Sequence, residues 1–363
     1  MANVIESGGS PWRKIRLVRP AHIYYKHKDI NSARQFLVDF GFTEAKQVGE
    51  KTYYKGLSNE PFLYCAIEAD ENEFGGAAFV VESEADLQYA SETLPGATEI
   101  YELSDAPGGG LCVTFKDPKD GFPFHLVYGQ KMDESQVALP QRDFNLPLTK
   151  NRLANRFQRM EKAPAPVHRL GHFGMCVTDF QATFDFYLPR FNLKPSDLIH
   201  LEDGRVVTAF NRLDRGTELV DHHAFFFYEG PRSHVHHASF ETHDFDTQVL
   251  GHDWLRHKGY KNCWGVGRHV LGSQIFDYWF DPSGYVVEHY ADGDLCDSSE
   301  PTHRMLAGPD NLHIWGEPRS PPPFPRVKKC FCVLLMRRSD LCLLGGIRAL
   351  GKAGQVGMLV SRC

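Results

Sequence analysis

No apolar run in this 363-residue chain approaches the roughly 20 residues needed to span a bilayer, and Met1 to Pro11 lacks the apolar core of a secretory signal. Both absences point to a cytoplasmic protein. Paired cysteine spacings are missing too. The nine cysteines (Cys65, Cys112, Cys176, Cys263, Cys296, Cys330, Cys332, Cys342 and Cys363) are scattered, which argues against a zinc knuckle or a small disulfide scaffold and suits reduced thiols. Charge is balanced to a net -6, and most of the chain has no basic stripe interleaved with aromatics, so neither nucleic acid nor membrane is an expected partner. With 42% hydrophobic and 12% aromatic residues, the chain can build two ordinary domains and should work on small molecules.

Histidine is what the chain has in unusual supply. Six of its eighteen histidines fall between His222 and His243. A carboxylate, Glu288, sits on the strand-like run Gly284-Tyr285-Val286-Val287-Glu288-His289-Tyr290 after an Asp281-Pro282 turn, and His172 opens an apolar run after Gly171. Two imidazoles and one carboxylate on three strands make a facial triad that leaves other metal positions open for small molecules. Alternate residues of a strand share a face. That rule groups His237 with Ser239 and Glu241, groups Glu288 with Val286 and Tyr290, and turns His236 and His289 away.

The two halves repeat. Ala21-His22-Ile23-Tyr24-Tyr25-Lys26-His27-Lys28-Asp29 resembles Gly171-His172-Phe173-Gly174-Met175-Cys176-Val177-Thr178-Asp179, with the same seven-residue step from histidine to aspartate. A helix is expected after each, near Ser32 to Asp39 and near Gln181 to Tyr187. Phe115-Lys116-Asp117-Pro118 mirrors Phe280-Asp281-Pro282. The chemistry does not repeat, because Gly76 stands where the second half has His237, and Phe124 or His125 stands opposite Glu288. The first half keeps His22 but cannot complete a triad.

These motifs resemble the type I extradiol ring-cleavage dioxygenases of the vicinal oxygen chelate superfamily, over roughly residues 15 to 296. The resemblance rests on Leu170-Gly171-His172, on Val235-His236-His237-Ala238-Ser239-Phe240 and on Asp277-Tyr278-Trp279-Phe280-Asp281-Pro282-Ser283-Gly284-Tyr285-Val286-Val287-Glu288. It implies His172, His237 and Glu288 as metal ligands, with Fe(II) as the metal and Mn(II) as the alternative. It also implies His222, fifteen residues before His237, as the acid/base in preference to His223, and His269 with Tyr278, nine apart, on the substrate side. The implied reaction takes an aromatic diol and O2 to a muconic semialdehyde, in a homo-oligomer. The implied fold is α+β: two vicinal-oxygen-chelate domains, each a pair of βαβββ modules forming a curved mixed sheet around a central cavity. Two other readings are a glyoxalase-like metal-dependent isomerase and a non-catalytic ligand-binding protein of the same fold. The emptied first half and the set His222, His269 and Tyr278 count against the isomerase, and the intact triad counts against the binding protein.

The expected organisation is an N-terminal extension (1–14), a first domain without a complete metal site (15–130), a proline-bearing linker (131–164) with one short helix around Asn151 to Glu161, a catalytic domain (165–316) and an atypical basic tail (317–363). That tail holds nine Lys/Arg against two Asp/Glu, a balance of +7, and is expected to lie outside the fold.

Overall fold

The computed structural model describes residues 13–135, 139, 142–308 and 311–316. Nearly all of the N-terminal extension and the whole of the basic tail lie outside the described residues. The first sheet is built from β1 (Leu17–His27), β2 (Thr43–Val48), β3 (Lys51–Lys55), β4 (Tyr64–Glu68), β5 (Glu73–Val81), β6 (Tyr101–Glu102), β7 (Leu111–Lys116) and β8 (Pro123–Tyr128). Helix α1 (Ile30–Phe40) follows β1, and α2 (Glu84–Thr93) follows β5. The second half repeats the plan with β9 (Val167–Val177), α3 (Phe180–Arg190), β10 (Leu193–His200), β11 (Val206–Leu213), β12 (Val220–Asp221), β13 (Phe225–Glu229), β14 (His234–Thr242), α4 (Phe245–His257), β15 (Lys261–Arg268), β16 (Ile275–Phe280) and β17 (Val286–Ala291). The short strands β18 (Leu295–Cys296), β19 (His303–Leu306) and β20 (Trp315–Gly316) complete it. Among the described residues no helix is long and apolar enough to cross a membrane.

Strand order makes the repeat explicit. It runs β2-β3-β4-β1-β5-β8-β7-β6 in one sheet and β10-β11-β13-β9-β14-β17-β16-β15 in the other, where β19 and β20 add to the two edges. In each sheet a central antiparallel pair (β1 with β5, β9 with β14) is flanked by parallel strands. The seven-residue step has a local cause. Asp29 and Asp179 are the N-caps of α1 and α3, their carboxylates accepting from Ser32 N at 3.1 Å and Ala182 N at 3.0 Å, so each strand hands over to its helix at a fixed distance from its histidine. Gly41, at φ 112°, ends α1 in the left-handed conformation that suits glycine.

One apolar core joins the sheets. Phe124 of β8 lies 5.7 Å from Phe173 and 5.6 Å from Phe225, ring centre to ring centre. The two Asp-Pro turns clasp the halves reciprocally. Asp120, in the first turn, accepts from Thr178 N at 2.9 Å and Thr178 Oγ1 at 2.6 Å, while Ser283, in the second, is hydrogen-bonded to His27 Nδ1 at 2.8 Å. The linker differs from expectation in one respect: no helix forms between Asn151 and Glu161. Leu153 and Phe157 stay exposed there and Asn155 adopts φ 64°, so the segment buries no apolar face that could stabilise a helix of that length.

Asp39, near the end of α1, ties that helix to α4 and the turn after it. Its carboxylate accepts from Trp254 Nε1 at 3.2 Å and Tyr260 Oη at 2.9 Å, and Lys258 Nζ is 3.4 Å away. Burial would raise this carboxyl, but hydrogen bonds from Gln35, Tyr260, Trp254 and Lys258 outweigh it and leave it below its ordinary value. A depressed carboxyl stabilises the fold while it is ionised and loses that contribution as pH falls through its folded value. Asp39→Ala should therefore cost about 2–4 kcal/mol at neutral pH, read from the urea midpoint. The gap to wild type should narrow below about pH 4, where the unfolded carboxyl protonates.

Candidate metal centre and its cavity

Three central strands set the site. Ser239 of β14 pairs with His172 of β9 on one side and with Glu288 of β17 on the other, so two donor residues are brought level by one register. His237 lies two residues before Ser239 on the same strand. Its Nε2 is 3.2 Å from His172 Nε2 and 3.2 Å from Glu288 Oε2, and His172 Nε2 is 3.3 Å from that same oxygen. All three side chains are buried, and Glu288 is fully so. Neither Glu288 oxygen has a donor in hydrogen-bonding geometry. A dehydrated carboxylate without donors is costly unless a cation faces it. Donors at right angles on one divalent ion sit roughly 3 Å apart, so this near-equilateral triangle fits a metal. Burial would push the Glu288 carboxyl up, yet the adjoining imidazoles of His172, His237 and His269 hold it well below the usual carboxylate range. For His237, burial dominates and lowers its pKa despite Glu288, which favours the neutral imidazole that a ligand must be.

The triangle opens onto a cavity with about 90 Å³ of room for water, walled on its apolar sides by Ile199, Phe210, Phe226, Trp264, Leu271 and Leu312. Gly174 is needed for one wall, since a Cβ there would lie 1.9 Å from the Phe226 ring. Tyr278 and His269 face the cavity as a pair. Tyr278 Oη is 2.8 Å from His269 Nε2, and His269 Nδ1 is 2.7 Å from the carbonyl oxygen of Leu312. A carbonyl only accepts, so His269 Nδ1 donates, and a ring with that single proton accepts at Nε2 from the Tyr278 hydroxyl.

Two expectations about neighbouring histidines are corrected. His223, not His222, lines the cavity, with its ring centre 4.1 Å from that of His172. His222 turns outward to Asp197, its Nε2 2.7 Å from Oδ2. The cause is a bend at His222–Ala224 between β12 and β13, where strand alternation lapses. The fifteen-residue interval to His237 also crosses the β13–β14 turn and a bulge, and each can absorb a residue without moving a side chain. His236 likewise lines the cavity instead of facing away. Val235 pairs with Met175 and His237 with the next residue, Gly174, so His236 is the extra residue of a β-bulge, which puts consecutive side chains on one face. His289 does face away, its Nε2 2.7 Å from the carbonyl oxygen of Phe40, and Glu241 is taken up by Arg169 at 2.5 Å.

The first half is filled where the second is open. Ala78 pairs with His125 as Ser239 pairs with Glu288, so His125, not Phe124, occupies the carboxylate position. Its ring takes the missing ligand's space, since a Cβ on Gly76 would lie 2.5 Å from His125 Nε2. His22 stacks on Phe62 with ring centres 3.9 Å apart, and its Nε2 is 3.0 Å from Tyr24 Oη.

Residues 169–289, which carry this triad and most of the cavity, match the family model described as the Glyoxalase/Bleomycin resistance protein/Dioxygenase superfamily. Over that segment the chain is similar to the superfamily. A curated protein to which the chain is similar is Metapyrocatechase 2 of Cupriavidus necator, 28% identical over 307 residues that make up 81% of this chain and 88% of that one. Homoprotocatechuate 2,3-dioxygenase from Brevibacterium fuscum, solved with 3,4-dihydroxyphenylacetate, superposes with a TM-score of 0.71 at 18% identity, covering 87% of this chain and 94% of that one. The Mn(II)-bound glyoxalase from Novosphingobium aromaticivorans gives 0.70 at 22% identity over 85% and 96%. At these identities the two structures establish the shared fold of paired, curled mixed sheets and nothing narrower.

Replacing Glu288 with Gln keeps the side chain's size and removes the one charge in the triangle. Divalent-metal affinity should fall by more than about 100-fold, since partners one shell further out are already worth 10- to 100-fold. Metal content after dialysis, measured by plasma emission, checks this.

Proposed function

We propose that the protein is an extradiol dioxygenase that opens the ring of a catechol-type diol beside its hydroxyls, with O2 as co-substrate, to a muconic semialdehyde-type product. The supporting observation is convergence: His172 and His237 of the buried His172, His237 and Glu288 triad line one cavity together with three protic side chains, His223, His269 and Tyr278. The triad residues would hold the metal, for which we propose Fe(II), the same donors also suiting Mn(II). When bound, such a metal supplies adjacent open positions for diol and O2 and a redox couple between them.

The protein's side chains supply binding and proton handling. Burial, together with the imidazoles of His172 and His222, holds His223 well below the ordinary histidine range, so it is neutral and able to take a proton from a diol hydroxyl. Tyr278 donates to His269, so its phenolic oxygen has lone pairs left to accept from the second hydroxyl. The aromatic and aliphatic walls exclude water from the reacting ring. Residues 15–130 and 165–316 are read as two modules joined by 131–164, the second carrying the chemistry.

Among the described residues lining the cavity there is no Lys or Arg. A ring substituent bearing a carboxylate would be desolvated there without a partner, so the substrate class is a catechol with an uncharged alkyl or aryl substituent. The penalty for an unpaired buried charge is several kcal/mol. Alkyl- or aryl-catechols should therefore exceed 3,4-dihydroxyphenylacetate in kcat/KM by about 100-fold or more.

The second reading is isomerase chemistry, named because the Mn(II)-bound glyoxalase has the same fold. Reconstitution with Fe(II) under anaerobic conditions, followed by air and a catechol panel, separates the two. The expected result is O2 uptake with visible absorption from a ring-opened semialdehyde. Turnover of a glutathione hemithioacetal without O2 uptake on any diol would reverse the assignment. His223→Ala should retain metal and bind catechol while turnover falls about 100-fold or more; loss of metal instead would remove His223 from the acid/base role.

A further inference from the structure

Behind His223 runs a second line of hydrogen-bonding groups that plays no part in metal binding. Asp197, buried on β10, has Oδ2 2.7 Å from His222 Nε2, and His222 Nδ1 is 3.1 Å from His223 Nδ1. His222 is held from three sides. Its backbone N–H donates to the Asp294 carbonyl at 3.0 Å, its carbonyl accepts from Ser196 Oγ at 2.6 Å, and Ser196 Oγ accepts from Arg212 Nη1 at 2.9 Å. Gly272 leaves no room on the near side, since a Cβ there would lie 3.0 Å from His222 Nδ1. The ring is thereby fixed with one nitrogen toward a carboxylate and the other toward His223.

We propose that Asp197 and His222 are positioning residues that set the tautomer of His223, making Nε2 the bare nitrogen that faces the cavity. The inference rests on the reading of His223 as the base. The logic is donor and acceptor counting. An ionised carboxylate only accepts, so the proton between Asp197 and His222 resides on His222 Nε2. When that is the only proton on the His222 ring, the lone pair is on Nδ1, which makes His223 Nδ1 the donor between the two rings and leaves Nε2 of a neutral His223 bare. A base with its proton on the wrong nitrogen cannot take one from substrate. In a Ser-His-Asp triad, exchanging the aspartate for asparagine keeps the geometry, gives the wrong tautomer and lowers kcat by roughly 10,000-fold. The present arrangement differs in having a second imidazole between carboxylate and base. No net proton movement to Asp197 is required, because the chain acts by fixing which nitrogen is bare.

The test uses the full-length protein with 15N-labelled histidine, loaded with Zn(II) as a diamagnetic probe, and two-bond proton–nitrogen correlation spectra. In the wild type the expected pattern is Nε2–H for His222 and Nδ1–H for His223, with the His223 resonances identified by their absence in His223→Gln. Asp197→Asn and Asp197→Ala should retain metal, shift His223 toward the Nε2–H form, and lower kcat with Fe(II) and catechol by about 100-fold or more while KM changes little. Wild-type His223 carrying its proton on Nε2 overturns the proposal outright, with no Asp197 variant needed. Both Asp197 variants keeping the Nδ1–H form and kcat within about twofold of wild type would do the same. If His223→Gln itself turns over normally, the base reading fails, and the wild-type tautomer pattern still decides whether the chain orients His223.

Discussion

A single carboxylate, Glu288, imposes the strictest condition on this molecule. It is fully buried at the centre of a sheet, where a charge needs partners close by, and the imidazole nitrogens of His172 and His237 lie 3.3 and 3.2 Å from one of its oxygens. The surrounding architecture follows from that requirement. Ser239 lies between His172 and Glu288 in the ladder, and His237 is two residues along the same strand, so all three donors are specified by one register. A slip of one residue in either flanking pair would turn a ligand to the opposite face, and the apolar faces of the same strands would have to move with it. Core packing and ligand convergence therefore enforce each other.

What could be read from the chain and what could not divide along the same physical line. Within a regular strand the period of two holds, and the grouping of Glu288 with Tyr290, or the outward turn of His289, is correct in the folded protein. The step from His172 to Asp179 is also readable, because a strand passes directly into an N-capped helix. Alternation gives no information across a bend or a bulge. His222 and His223 straddle such a bend, and counting fifteen residues back from His237 selects the neighbour that faces Asp197. His236 is placed in the cavity by one extra residue in β14, and nothing in Val235-His236-His237 announces that bulge. Asp197 had no motif at all. It arrives from β10, twenty-five residues before the histidine it orients, and only the folded sheet brings them together.

The same considerations explain why a half without a metal triad is built to the same plan. In the first sheet glycine stands at the position of His237 and His125 at that of Glu288, and the His125 ring occupies the space that a side chain on Gly76 would need. Neutral, packed groups replace a charged centre that would demand an ion. His22 and His125 are both held below the ordinary histidine range, burial being the main cause for each, so the filled site has no charge to compensate. This half contributes by contact. Phe124 packs on Phe173, the residue after His172, and Phe40 offers its carbonyl to His289, the residue after Glu288. The reciprocal clasp of the two Asp-Pro turns anchors this support at both ends, through Thr178 just after the strand of His172 and through Ser283 before the strand of Glu288. These contacts join the first sheet to both strands that carry the outer members of the donor triangle.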